Sequence, residues 1–173
     1  MLIQESISLP RARVLLHQER AYDFDAKTGL WQYRPVGEDE VAFNILTNTG
    51  RVQLHHQAYA TAALLTNGFN WIALSNDAGV PAAADATLAA EINGGGLGLD
   101  RVQGAVTLAT GAGNVTTIAN TFTYLGVPAQ GIQKTALFTA TNPGGVMNHE
   151  IAFTPRTLFT NDTITVTFTI TLG

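Results

Sequence analysis

From residue 163 to residue 172 the chain reads T-I-T-V-T-F-T-I-T-L. Side chains of a β-strand alternate between its two faces, so Ile164, Val166, Phe168, Ile170 and Leu172 share one face. Thr163, Thr165, Thr167, Thr169 and Thr171 share the other. Alternation this regular specifies an antiparallel strand with one buried and one open face. Threonine on the open face keeps the strand propensity high and adds no charge to oppose stacking or subunit packing.

Shorter segments of the same kind precede it. Residues 69–75 form a buried strand, with Trp71 and Ala73 on one side and Ile72 and Leu74 on the other. Residues 101–110 alternate through Val102, Gly104, Val106 and Leu108, and further strands span 115–125, 132–140 and 146–153. Between them lie residues 111–114, the loop 126–131, and a turn at Asn142, Pro143, Gly144 and Gly145. Short strands with turn signals every ten or so residues predict a mainly β chain, an antiparallel β-sandwich of jelly-roll type. One helix interrupts the pattern over residues 44–65. Asn48 or Thr49 caps it, and Val52, His55 or His56, Tyr59 and Ala62 or Ala63 fall on one face. Asn67 and Gly68 end it. Residues 77–99 read as a long loop with a helical turn at 86–91.

Charge divides the chain in two. Of nine Lys and Arg and 13 Asp and Glu residues, twelve lie in the first 40 positions. After residue 102 only Lys134, Glu150, Arg156 and Asp162 are charged. The division predicts a polar N-terminal arm over residues 1–40 and a sandwich body over 41–173. Within the arm, Y-D-F-D-A-K-T-G-L-W-Q-Y from residue 22 predicts a small hairpin carrying Tyr22, Phe24, Trp31 and Tyr33. A dispersed monomer carries more charge than this body offers, so much of the body's surface is expected to meet other protein.

A net charge of −4 argues against nucleic acid as partner, which would need a basic patch. No apolar run reaches membrane-spanning length, and the N-terminal residues do not read as a signal peptide, because Glu5 interrupts the apolar stretch and Arg11 and Arg13 follow it. Without cysteine there is neither a disulfide nor a thiolate metal site. His55 and His56 are adjacent and point about 100° apart on a helix, a poor pair for one metal ion. His149 and Glu150 lack the second histidine of a zinc motif, and His17 has no supporting neighbour in sequence. The glycine-rich run 93–98 matches no phosphate-binding fingerprint. Asp77, Asp85, Glu91 and Asp100 could offer oxygen ligands, but not at the spacing of a calcium loop. Ser6, Ser8 and Ser75 stand outside any nucleophile elbow. The expectation is a chain that is not an enzyme, with no cofactor and no small-molecule substrate.

Several runs, in order, resemble small structural proteins of tailed bacteriophages. They are N-I-L-T-N-T-G-R at 44–51, N-W-I-A-L-S-N at 70–76 and D-A-T-L-A-A-E-I at 85–92, with L-D-R at 99–101. A-L-F at 136–138, G-G-V-M at 144–147 and N-D-T-I-T-V-T-F-T at 161–169 complete the series. The nearest likeness is to the capsid decoration (cement) proteins of thermophilic long-tailed phages. The resemblance implies a β-rich homotrimer on the capsid exterior of the virion, made in the host cytoplasm. Its partners would be the major capsid protein and neighbouring copies of itself. It also implies an arm that clamps a neighbour, here through Ile3, Ile7, Leu9, Val14, Leu15, Tyr22, Phe24, Trp31 and Tyr33. Tail-fibre and tail-tip proteins share similar strings. On that alternative the loops 77–99 and 126–131 would bind a host receptor or glycan, with Trp71 as a stacking platform.

Overall fold

The structure, a computed structural model, describes residues 11–25, 27–43, 45–50, 68–108 and 115–171. Ile3, Ile7, Leu9, His55 and His56 lie outside the described residues. The described strands, in chain order, are β1 (Arg11–Asp25), β2 (Leu30–Pro35), β3 (Glu40–Phe43), β4 (Ile45–Leu46) and β5 (Trp71–Ser75). Then come β6 (Val102–Gln103), β7 (Ala105–Leu108), β8 (Val115–Thr123), β9 (Gln130–Phe138), β10 (Met147–Leu158) and β11 (Thr163–Thr171). They form two antiparallel sheets. One has the order β2-β1-β11-β8-β7, with β3 also paired to β1; the other is β4-β10-β9-β5-β6. The expected sandwich is what these sheets build; their order does not establish a jelly-roll winding.

The threonine strand is the centre of the first sheet. Each of its residues from Thr163 to Thr171 pairs with β8 on one side and with β1 on the other. Its Ile164, Val166 and Phe168 are fully buried. They pack with Val14 and Leu16 of β1, Ile118 and Phe122 of β8, and Ile72, Leu74, Ile132, Leu137 and Ile151 from the second sheet. Burying a side chain of this size contributes roughly 1.5–3 kcal/mol, so these facing rows carry much of the fold's stability.

This pairing corrects the expected division at residue 40. Residues 11–19 are no arm: they are an interior strand, hydrogen-bonded to β11 along one edge and to β3 along part of the other. The many charges of this segment concealed it, because only alternate residues, Val14 and Leu16, face the core.

Three further expectations shift for local physical reasons. The single strand at 101–110 is two strands, β6 in the second sheet and β7 in the first. They part at Gly104, where a Cβ would come within 2.8 Å of Ile118 and 3.0 Å of Ile72, so only glycine lets the chain cross between the sheets there. The strand expected at 146–153 runs on to Leu158. Pro155 does not stop it because the pairing with β9 slips between Ala152 and Arg156, and a bulge tolerates the missing N–H. Of the helix expected over 44–65, Ile45 and Leu46 are strand, residues 48–50 are helical and residues 51–65 lie outside the described residues; Thr47, rather than Asn48 or Thr49, caps the helix. Its Oγ1 accepts the Gly50 N–H at 3.0 Å.

The second sheet is covered on its outer side as well. Ala73, Ala136, Phe138 and Met147 face outward and pack with Leu88 from the long loop, with Trp71 against them. Residues 86–91 hold no helical turn; the loop closes instead through a bridge between Ser75 and Glu91. Trp71 is therefore a packing residue and no open platform.

Candidate assembly surface

The body buries four of its charged residues, Arg101, Lys134, Glu150 and Asp162. Lys134 and Glu150 face the covered side of the second sheet with side chains 3% and 1% exposed, Nζ 3.1 Å from Oε1. Asp77 from the loop approaches the same Nζ at 2.6 Å. Desolvation works against the lysine's charge, but Asp77 and Glu150 outweigh it and hold its pKa above the ordinary value. Burial pushes the Glu150 carboxyl up, against the pull of Lys134 and with the help of Asp85. Arg101 is equally engaged. Its Nε and Nη2 donate to Glu91 at 2.9 and 2.6 Å, and Nη1 donates to the Ala140 and Gly144 carbonyls. Its guanidinium lies 3.4 Å from the Phe138 ring centre. These contacts anchor the loop to the sheet, while Glu150 Oε2 and both His149 ring nitrogens are buried without a hydrogen-bond partner among the described residues. Asp77, Asp85, Glu91 and Asp100 take separate partners, namely Lys134, the Ala82 N–H, Arg101 and the Gly94 N–H.

Aromatic side chains do the opposite. β1 outruns the sheet: Glu19 is the last residue opposite β11, and Arg20 to Asp25 continue with β2 alone. At about 3.3 Å per residue this two-stranded ribbon projects roughly 20 Å. It is the hairpin expected from the sequence. Asp25 closes its tip, accepting the Lys27 N–H at 2.8 Å and the Thr28 hydroxyl at 2.9 Å. Those two contacts hold the Asp25 carboxyl below its usual pKa. Gly29, at φ +72°, completes the turn in a conformation that favours glycine.

The four aromatics do not form one patch. Phe24 stacks on Trp31 with ring centres 5.2 Å apart. Tyr33 shares the Trp31 face by alternation along β2. A bulge between Ala21 and Asp23 throws Tyr22 out of phase. Its hydroxyl donates to Gln32 at 2.6 Å, and Arg34 lies over its ring at 5.7 Å, so it belongs to the opposite face. The ribbon is aromatic on both sides.

The base of the ribbon continues this apolar character. Of the twelve exposed large apolar side chains among the described residues, Tyr22, Phe24, Leu30, Trp31, Tyr33, Leu125, Val127 and Phe159 gather at this one end of the sandwich. Asp162, 1% exposed, ties its three pieces together. One carboxylate oxygen accepts the Ala21 N–H of the ribbon at 3.2 Å, and the other accepts the Phe159 N–H at 2.9 Å. Arg20 Nε lies 3.5 Å from that second oxygen, and its guanidinium is stacked 4.5 Å over the Phe159 ring. The Asp162 carbonyl accepts the Tyr124 N–H at 2.9 Å, which holds the start of the loop carrying Leu125 and Val127. Asp162 was visible in the sequence only as one of four late charges; its role follows from contacts across some 140 positions.

The open face of the first sheet is the threonine face. Across it, Thr167 stands in a row with Leu15 and Val41 on one side and Ala119 and Ala105 on the other. His17 at its margin bonds Asp39 at 2.6 Å, which raises its pKa with support from Glu19. Of the expected arm contacts, Val14 is excluded by complete burial, Leu15 stands on this face, and the four aromatics stand on the ribbon. A cleft of about 410 Å³ lies beside β8, lined among others by Gly98, Asp100, Asn120, Thr121 and Thr123. No family model, no curated protein and no solved structure matches this chain.

Proposed function

We propose that this protein is a structural component of a tailed-phage virion, a decoration (cement) protein that binds the outer capsid surface and stabilises the shell. In this reading copies associate as a trimer, and the two-stranded ribbon makes contact with the major capsid protein. One observation carries the reading: the body buries Arg101, Lys134, Glu150 and Asp162 while a projecting ribbon exposes aromatics on both faces. An isolated two-stranded ribbon is marginal in water, so an aromatic one is built to be covered. Many copies on one shell gain by effective concentration, which suits a modest contact per copy. The resemblance of the motif strings to those of phage structural proteins suggests the setting.

The test is addition of the purified protein to capsid shells that lack it, followed by sedimentation and thermal melting of the shells. Co-sedimentation with a raised shell melting temperature supports the role; a protein that stays in solution with unchanged shells contradicts it. A second reading, a tail-tip protein that binds a host glycan, draws on the cleft beside β8, where Asp100, Asn120 and Thr121 stand among apolar side chains. Binding of host surface polysaccharide, lost on Asn120→Ala and Asp100→Ala substitution, would favour it.

A further inference from the structure

We infer that the contact with the shell is the whole ribbon end, base included, and that its acceptor is a neutral, apolar cleft. The inference rests on the decoration reading and specifies its interface. The area argues for the whole end. Its five aromatics are 38–52% exposed. At about 200 Å² for an aromatic side chain, these and the three aliphatics offer on the order of 800 Å², one partner's share of a standard interface. The ribbon's own side chains offer only part of that area.

The acceptor's shape follows from the bulge. With Tyr22 on one face and Phe24, Trp31 and Tyr33 on the other, a flat partner on the larger aromatic face would leave Tyr22 wet. A cleft covers both. Its chemistry follows from the charges at this end. Arg20 is held by Asp162 and Phe159, while the exposed Arg34 and Lys27 are balanced by Asp23 and Asp25, so the ribbon offers no net positive charge to an anionic polymer or a lipid headgroup. A second copy is a poor acceptor. Among the described residues the remaining exposed large apolar side chains are Leu15, Val41, Val80 and Val106, divided between a sheet face, a loop and an edge strand. Asp162 makes the composite surface one unit, because the three segments that form it meet at its carboxylate and carbonyl.

The experiment measures affinity for capsid shells of the full-length protein and of the variants Val127→Glu, Phe159→Glu and Leu15→Glu, each checked for melting temperature and oligomeric state. Val127 is 82% exposed, so its variant folds. The expected result is at least a tenfold loss of shell affinity for Val127→Glu and Phe159→Glu, and none for Leu15→Glu. Hydrogen exchange adds a second readout: residues 20–35 and 124–129 gain protection on shells. Asp162→Asn raises exchange in 20–35 without lowering that of β8. Unchanged affinity of both base variants, with the unsubstituted protein bound, overturns the composite surface but leaves the decoration reading intact. Base variants that dissociate the oligomer while keeping shell affinity make a second copy the occupant and overturn it too. Absence of binding by the unsubstituted protein overturns both.

Discussion

The covered side of the second sheet and the ribbon end of the first invert each other's chemistry. In the one, Lys134, Glu150, Arg101 and Glu91 are buried and consumed by mutual contacts. In the other, tryptophan, tyrosine and phenylalanine stand in solvent while a buried aspartate fixes their base. The first arrangement uses polar groups to hold a loop; the second leaves apolar groups exposed to solvent. The distinction separates stability from function, and substitutions on the two sides are expected to separate them too.

The largest effects belong to the covered side. Lys134→Ala leaves Glu150 buried without its cation and is expected to destabilise the fold by about 3–5 kcal/mol, read by urea unfolding. A loss below about 1 kcal/mol would mean the pair is solvated and the charges are not hidden. Next comes His149, 1% exposed with no partner for either ring nitrogen among the described residues. Burial lowers its pKa from 6.5 to about 4. Between those values the unfolded chain binds a proton that the folded chain refuses, so stability falls as pH falls. At about 1.4 kcal/mol per pH unit this amounts to roughly 3 kcal/mol over the window. His149→Leu should flatten that acid slope and raise stability at neutral pH, since an unsatisfied polar group leaves the core. An unchanged slope would place the acid sensitivity elsewhere.

The ribbon should behave in the opposite way. Trp31→Ala is expected to change unfolding by less than about 0.5 kcal/mol, as surface positions do, yet to weaken shell binding. A large loss of stability would make the aromatics part of the fold rather than of a contact. The smallest effect is expected on the threonine face. Thr165→Lys should leave both stability and shell binding within error; lost binding would move the interface to that face.

The two sides also differ in how far the sequence reveals them. Period-two alternation made β11 legible residue by residue, and alternation of aromatics around Lys27, Thr28 and Gly29 made the ribbon legible. Both are local patterns. β1 was not legible as an interior strand, because its open side carries Arg13, His17 and Glu19, and charge frequency outweighed the alternation of Val14 with Leu16. The charged layer was unreadable for another reason. Lys134 meets Glu150 across 16 positions, and Arg101 reaches Gly144 across 43, so no spacing rule brings them together. The neutral body was legible in composition, but its meaning deepened with the structure, which moves most of its late charges inside as well.

On the proposed function the ribbon end is covered by another protein in the assembled particle, which cryo-electron microscopy of virions would reveal. Copies are expected on the capsid exterior, each with its ribbon and the Val127 loop seated in a cleft of the shell and its threonine face turned elsewhere. Copies whose ribbons stand free in solvent, or density confined to the tail, would contradict it.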